Sequence, residues 1–149
     1  RYPLTITMLD MDGLKAINDT LGHACGDAAL VAFADVLAAS LRNVEPPVSP
    51  GAPAALGRVG GDEFALLLPG FDSASGFDVV EDLRRVVEDS PMDFDGAAVI
   101  LTFSAGVTSI DGADDSLEAM LARADSALYR AKRKGRNRVI LARPTHLEP

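Results

Sequence analysis

The chain has 149 residues, of which 48% are hydrophobic, and its mean hydropathy is +0.14. This length and composition predict one folded domain with a sizeable core. The net charge of −8 excludes a general binder of nucleic acids or of membrane surfaces, because both present phosphates to a basic protein face. The single cysteine, Cys25, excludes an internal disulfide and a multi-cysteine metal site, and it favours a reducing compartment.

The ends of the chain carry no evident targeting segment. No apolar run reaches the roughly 18 residues of a membrane helix, and the start, Arg1-Tyr2-Pro3, is not a signal peptide. Because the chain does not begin with Met, we expect a single domain, residues 1–149, excised from a larger protein. A cytoplasmic location fits these features best.

The first predicted strand covers residues 4–9 and is β-rich and apolar. It ends on Asp10-Met11-Asp12-Gly13, so a buried strand delivers carboxylates to a sheet edge where the chain must turn. Asp10 is therefore a candidate metal ligand. The alternative is that Asp12-Gly13 forms a simple turn and that Asp10 caps the segment after it.

A short helix is predicted over residues 14–20, and a loop containing two glycines over residues 21–27. Sharp turns in this loop leave Asn18 and Asp27 free to face a ligand. Such a pair suits a guanine edge, because a carboxylate accepts from N1 and N2 while an amide donates to O6 or N7. The alternative is that Asp27 is the N-cap of the next helix, a core helix predicted over residues 28–41.

A β-hairpin is predicted over residues 55–68, after an extended loop at residues 43–53 that holds four of the nine prolines. Its tip is Gly60-Gly61-Asp62-Glu63, where glycine supplies the positive φ of a tight turn. The two adjacent carboxylates repel each other, and a divalent cation would compensate them. The alternative is a solvated acidic turn.

The remaining segments complete an α/β pattern. They comprise an amphipathic helix at 73–88, a long strand or a hairpin of two strands at 97–110, a helix from the Ser116 cap to about Lys134, and a strand at 139–141. This order predicts helices packed on a central sheet of mixed direction. If the hairpin flanks the first strand, Asp10, Asp62 and Glu63 form an oxygen-rich site for Mg²⁺ or Mn²⁺ with a nucleotide triphosphate.

Positive charge is concentrated in one segment, since six of the 14 basic residues fall between Arg130 and Arg138. Lys132 and Arg136 lie four residues apart, so both can point one way at the helix end and grip a terminal phosphate. The alternative is that these cations only complement the helix macrodipole. The cluster is denser than capping requires.

Ordered motifs over nearly the whole chain resemble the GGDEF-domain diguanylate cyclases. They are Asp10-Met11-Asp12-Gly13-Leu14-Lys15-Ala16-Ile17-Asn18-Asp19, Gly22-His23, Gly26-Asp27, Arg58-Val59-Gly60-Gly61-Asp62-Glu63-Phe64, Ser104-Ala105-Gly106-Val107, Ala124-Asp125-Ser126-Ala127-Leu128-Tyr129-Arg130-Ala131-Lys132 and Gly135-Arg136-Asn137. The resemblance implies a fold similar to the palm of nucleotidyl cyclases and polymerases. It also implies condensation of two GTP molecules into cyclic di-GMP (c-di-GMP) with release of two pyrophosphates.

The resemblance implies a role for each matched residue. The catalytic residues would be Asp62 and Glu63, and Asp62 would help to deprotonate the attacking 3′-hydroxyl. Two Mg²⁺ (or Mn²⁺) ions per active site would be bound by Asp10, the Met11 carbonyl, Asp62 and Glu63. The backbone amides around the β and γ phosphates would be those of Asp12, Gly13, Leu14 and Lys15. Lys132 and Arg136 would hold the γ phosphate, and Asn18 and Asp27 would bind guanine.

Each domain of the family holds one GTP, so the resemblance implies a two-fold homodimer as the active species. It also implies an upstream sensor domain in the full protein, which makes a membrane-bound sensor with this domain in the cytoplasm one possibility. No nucleic-acid partner and no direct membrane contact by this domain are expected.

The sequence departs from the family pattern in three places. Gly51-Ala52-Pro53-Ala54 stands where members often carry Arg-x-x-Asp, so we expect no high-affinity site for inhibition by product. Leu14 replaces a frequent Phe, and the helix that usually precedes the first strand is absent. Two alternatives to an active cyclase are a catalytically silent GTP-binding module and a cyclase of altered base choice. The retained Asp62, Glu63 and Asp27 argue against them.

Overall fold

The computed structural model describes residues 3–49, 52–113 and 115–143. The elements in chain order are β1 (Leu4–Met11), α1 (Leu14–Leu21), α2 (His23–Leu41), β2 (Ala55–Gly60), β3 (Glu63–Pro69), α3 (Ser73–Glu88), β4 (Met92–Phe94), β5 (Ala97–Val99), β6 (Phe103–Ser109), α4 (Leu117–Arg133) and β7 (Arg138–Leu141). Among the described strands, five form one sheet in the order β2-β3-β1-β6-β7, in which β6 and β7 are parallel and the other neighbouring pairs are antiparallel. Strands β4 and β5 form a separate antiparallel ribbon. The predicted fold class is confirmed.

Strand β1 lies at the centre of the sheet and is buried on both faces, which explains its nearly continuous apolar sequence. Leu9 and Met11 belong to the main core, together with residues of α2 and α3, whereas Met8 packs against α4. In the main core, the Phe33 ring meets Phe64 edge-on at 5.3 Å between ring centroids. This packing fixes the end of β1, where the predicted site lies.

Helix α4 lies close against β6 because residue 106 is glycine. A Cβ atom at Gly106 would lie 2.1 Å from the Ala124 carbonyl oxygen and 2.4 Å from the Leu128 nitrogen. The N-terminus of α4 is capped as predicted, since Ser116 Oγ accepts from the Ala119 N–H over 3.1 Å. This close approach brings the basic end of α4 to the end of β1.

The predicted loop at residues 21–27 is wrong, because α2 begins at His23. Gly22 alone, at φ 92°, separates α1 from α2. Asp27 therefore lies inside α2 and is not its N-cap. Gly26 does not break the helix. It leaves room for α1, since a Cβ atom there would lie 1.7 Å from Asn18 Oδ1.

The segment at residues 97–110 also differs from its prediction. It contains two strands, β5 and β6, but they do not pair with each other. Strand β5 pairs instead with β4, a three-residue strand that the sequence did not predict, and β6 pairs with β1 and β7. A strand as short as β4 carries too little periodicity to be recognised.

Some predictions fall on residues outside the described ranges. They include Arg1 and Tyr2 at the start, and Pro50 and Gly51 in the proline-rich loop. Within the described ranges, α2 is long and apolar enough, by length and composition alone, to cross a membrane. Its buried residues, including Phe33 and Leu37, nevertheless pack into the protein core.

Candidate active site

The hairpin tip is tied to the end of β1. The Met11 N–H donates to the Asp62 carbonyl oxygen over 2.9 Å, and Glu63 stands opposite Asp10 in the pairing of β3 with β1. The turn is braced by Arg58, whose Nε donates to the Gly61 carbonyl oxygen over 2.7 Å. Asp62 and Glu63 are thereby carried to the end of β1, as the sequence predicted.

The Asp10 carboxyl group is buried, and just one of its two oxygens has a partner among the described residues. One oxygen, Oδ2, pairs with Lys132 Nζ, while Oδ1 is buried with no hydrogen-bond partner among the described residues. Burial raises the pKa of Asp10 to about 6, the Lys132 hydrogen bond opposes this shift, and the neighbouring Asp62 carboxyl adds to it. An unpartnered acceptor beside a second carboxyl can take up a cation.

Three carboxylates do not converge on one point, which corrects the sequence prediction. No group of three or more His, Cys, Asp or Glu side chains within the described ranges is close enough to hold a metal ion. Asp62 adjoins Asp10, but it is Lys132 that neutralises the Asp10 carboxylate. Like-charged carboxylates repel each other, and one ammonium group already occupies the position beside Asp10.

A cleft of about 480 Å³ opens beside Asp10 and Asp62 and includes the start of α1. Gly13 adopts φ 74° and allows the chain to turn from β1 into α1. The first amides of a helix have no acceptor within the helix, so those of Leu14, Lys15 and Ala16 are available to an anion in the cleft.

The Asp12 amide does not belong to this set, contrary to the prediction. It donates to the Thr102 carbonyl oxygen over 2.9 Å. The Asp12 carboxylate is occupied as well, since it accepts from Thr102 Oγ1, Ser104 Oγ and the Asn137 N–H over 2.7 to 3.0 Å. Asp12 therefore joins β1 to β6 and to the turn before β7.

Lys132 and Arg136 line the same cleft, although the predicted reason is wrong. Helix α4 ends at Arg133, so helical spacing does not relate the two residues. Lys132 lies in the last turn of α4, and Arg136 comes after it in a left-handed turn at φ 64°. The cleft thus combines helix amides, two basic groups and the carboxyls of Asp10 and Asp62.

Asn18 and Asp27 do not line this cleft. Asn18 packs against Gly26, the residue before Asp27, where α1 crosses α2. Asp27 is exposed and lines a neighbouring groove between α2 and β2, together with Arg58. The two candidate guanine ligands therefore lie on adjoining helices, Asn18 within α1 and Asp27 near the start of α2.

Two residues that line the cleft, Ala16 and Asp19, were not predicted from the sequence. Helical spacing gives a signal for Asp19, because it follows Lys15 by one turn on the same helix face. Ala16 gives no chemical signal, since only its place in the first turn of α1 brings it to the cleft.

Comparison with known proteins gives concordant matches. The family model described as "Diguanylate cyclase, GGDEF domain" matches residues 1–138. Diguanylate cyclase A of Treponema denticola is 36% identical over 140 residues, which are 94% of this chain and 35% of that protein. The chain spans about a third or less of the curated relatives it matches first.

Solved structures match closely as well. The active GGEEF domain of a diguanylate cyclase from Vibrio cholerae is 31% identical with a TM-score of 0.81, covering 96% of this chain and 85% of that one. The GGDEF domain of DgcB from Caulobacter crescentus in complex with c-di-GMP is 29% identical with a TM-score of 0.81, covering 94% of this chain and 78% of that one.

Proposed function

The chain belongs to the GGDEF family of diguanylate cyclases, and we propose that it condenses two GTP molecules into c-di-GMP with release of two pyrophosphates. The observation that carries this proposal is the composition of one cleft. It unites the end of β1, the first turn of α1, Asp62 of the hairpin and two basic residues at and after the end of α4. A nucleotide triphosphate needs such a combination of anion-binding and cation-binding groups.

The phosphate-binding part consists of the Gly13 amide and the first three amides of α1, residues 14–16, with the side chains of Lys132 and Arg136. Amides at a helix N-terminus point toward an anion, and the helix dipole favours its negative charge. Arginine can bind a terminal phosphate through two parallel hydrogen bonds, whereas lysine acts as a point charge. Asp12 has no part in this contact, because its amide is already bonded.

Asp10, Asp62 and Glu63, with the Met11 carbonyl, would hold Mg²⁺ or Mn²⁺, for which we propose two ions per site. Because these three carboxylates do not form one cluster among the described residues, the ions would draw them together by compensating their negative charge. The buried, unpartnered oxygen of Asp10 beside Asp62 fits a hard cation, which prefers carboxylate oxygens. When bound there, the ions supply Lewis-acid stabilisation of the charge that develops on the phosphate. Asp62 would accept the proton of the attacking 3′-hydroxyl.

Asn18 and Asp27 are proposed to bind guanine from the α1–α2 side. Each domain would hold one GTP, so two domains facing each other would join the two nucleotides in a two-fold homodimer. An upstream sensor domain and a cytoplasmic location stay predictions, as does the lack of an inhibitory site at Gly51-Ala52-Pro53-Ala54.

The proposal is tested by incubating the concentrated protein with GTP and Mg²⁺ and separating c-di-GMP and pyrophosphate by chromatography. We expect product that disappears with EDTA. Glu63→Gln should lower the rate roughly 10²-fold, because one ligand of the metal loses its charge. Glu118→Gln, an exposed change in the first turn of α4, serves as the matched control and should leave the rate unchanged.

If the parent protein formed no c-di-GMP, the proposal would be contradicted unless weak dimer formation limits the assay. The same assay with a dimerising coiled coil fused before residue 1 removes that limit. Metal-dependent GTP binding without product from the fused dimer would identify a catalytically silent GTP-binding module. Full activity of Glu63→Gln would show that the metal ligands lie elsewhere.

A further inference from the structure

The connection between α4 and β7 contains three successive residues in the left-handed region. Gly135, Arg136 and Asn137 have φ angles of 118°, 64° and 45°. Glycine adopts such angles without strain and asparagine tolerates them, whereas for arginine they are uncommon. Yet Arg136 is the residue of this turn that lines the cleft. The Arg136 N–H donates to the Ala131 carbonyl oxygen over 3.0 Å, and further contacts from other elements help to hold the turn in this shape.

Asn137 makes those contacts on two sides. Its backbone N–H donates to Asp12 Oδ2 over 3.0 Å. Its side-chain oxygen accepts from Arg84 Nη1 over 3.1 Å, and its side-chain nitrogen donates to Glu88. Asn137 thus connects the end of β1 with helix α3.

Both of these anchors are themselves fixed. The Asp12 carboxylate also accepts from the hydroxyl groups of Thr102 and Ser104, over 2.9 and 2.7 Å. The Arg84 side chain is only 15% exposed, and its Nη2 pairs with Glu81 over 2.6 Å. A mostly buried guanidinium group that donates to several acceptors holds its orientation far better than an exposed one.

We propose that Asn137 is a positioning residue, which holds the strained turn between Asp12 and α3 in the shape that presents Arg136 to the terminal phosphate. The inference rests on the proposed function, since it takes Arg136 as a phosphate ligand. Asn137 does not line the cleft and acts through its neighbour. Helix α3, which contributes no lining residue to the cleft, thereby becomes part of the support of the site.

The test measures binding of a GTP analogue with a methylene bridge between the α and β phosphorus atoms, which the reaction cannot cleave, in the presence of Mg²⁺. Asn137→Gly removes the side-chain contacts and keeps a residue that adopts positive φ freely. We expect about tenfold weaker binding. Arg136→Ala should lose at least as much, and adding Asn137→Gly to Arg136→Ala should cause no further loss.

The chain offers a matched control at Asp95, another residue that is not glycine and has positive φ, at 50° in the turn between β4 and β5. Asp95→Gly should bind the analogue like the parent. An equal loss in Asp95→Gly would overturn the assignment, because any softened left-handed turn would then have the same effect.

The double variant separates positioning from a general structural role. If Asn137→Gly weakened binding equally with and without Arg136, Asn137 would not act through Arg136 and the inference would be wrong. If thermal melting showed that Asn137→Gly does not fold, Arg84→Met would carry the same comparison, since it removes one anchor of the turn.

The outcomes also separate this inference from the proposed function. A parent that makes c-di-GMP, together with an Asn137→Gly variant that binds the analogue equally well, would overturn the inference alone. A parent that neither binds the analogue nor makes product would overturn the proposed function and this inference with it.

Discussion

Two basic residues of helix α4 form ion pairs with carboxylates that lie near its two ends, and the two pairs differ in kind. Near the N-terminus, Arg123 donates to both oxygens of Asp115 over 3.0 and 2.6 Å. The same carboxylate accepts from the N–H groups of Asp111 and Ser116, and only 3% of the side chain is exposed. The Arg123 hydrogen bonds hold the pKa of Asp115 down to about 2.

Near the C-terminus of α4, Lys132 pairs with a single oxygen of Asp10. The other oxygen is buried without a partner among the described residues, and burial raises the pKa of Asp10 to about 6. Both carboxyls are buried and both face a cation, so the difference lies in the number of donors around each. A carboxylate with all its acceptor positions filled stabilises the fold, whereas one with a spare oxygen is available to a ligand.

The largest expected effect comes from Asp10→Asn, which removes the negative charge of the Asp10–Lys132 pair. The rate of c-di-GMP formation should fall roughly 10²- to 10³-fold, or about 3–4 kcal/mol in the barrier, because the proposed metal site loses a ligand charge. The melting temperature should hold or rise, since a buried charge with too few donors is removed. Asp125→Asn, an exposed change on α4, is the control. Lower stability with full activity would place Asp10 among the structural residues.

Asp115→Asn should have the opposite profile. At pH 7 the free energy of unfolding should fall by about 2 kcal/mol, since the pKa of Asp115 lies near 2 in the folded protein instead of at its ordinary 3.8. A lowered pKa stabilises the folded state above pH 3.8, and this contribution disappears as the pH falls through 2. Denaturant unfolding of parent and variant should therefore give converging curves at pH 2. A difference that persists there would show that packing, not charge, is responsible.

Sequence patterns that depend on neighbouring residues correctly predicted much of the structure around these two carboxyls. The apolar run before Asp10, the glycines before Asp62 and the cap at Ser116 each depend on neighbours in the chain, and each was placed correctly. The start of α2 was missed, because the small size of Gly26 is required by a contact with Asn18 on another helix and not by a turn. Sequence patterns do not reveal such contacts between elements.

The candidate site was predicted in the same uneven way. The grouping of Asp10 and the first turn of α1 with Lys132 and Arg136 is present in one cleft. The role of Asp12 was missed, because its partners Thr102, Ser104 and Asn137 are distant in the chain and meet it only in the folded sheet.

The smallest of these effects should come from Lys132→Met, which frees the second oxygen of Asp10. Without nucleotide, Mn²⁺ should bind several-fold more tightly, because the ion no longer competes with an ammonium group for this carboxylate. The GTP analogue should bind about tenfold more weakly, or by about 1.4 kcal/mol, since the cleft loses a cation. Titration of each ligand alone measures both changes, with the exposed Lys134→Met as the control. Opposite changes for the two ligands are the distinctive result, because a residue that merely supported the fold would weaken both.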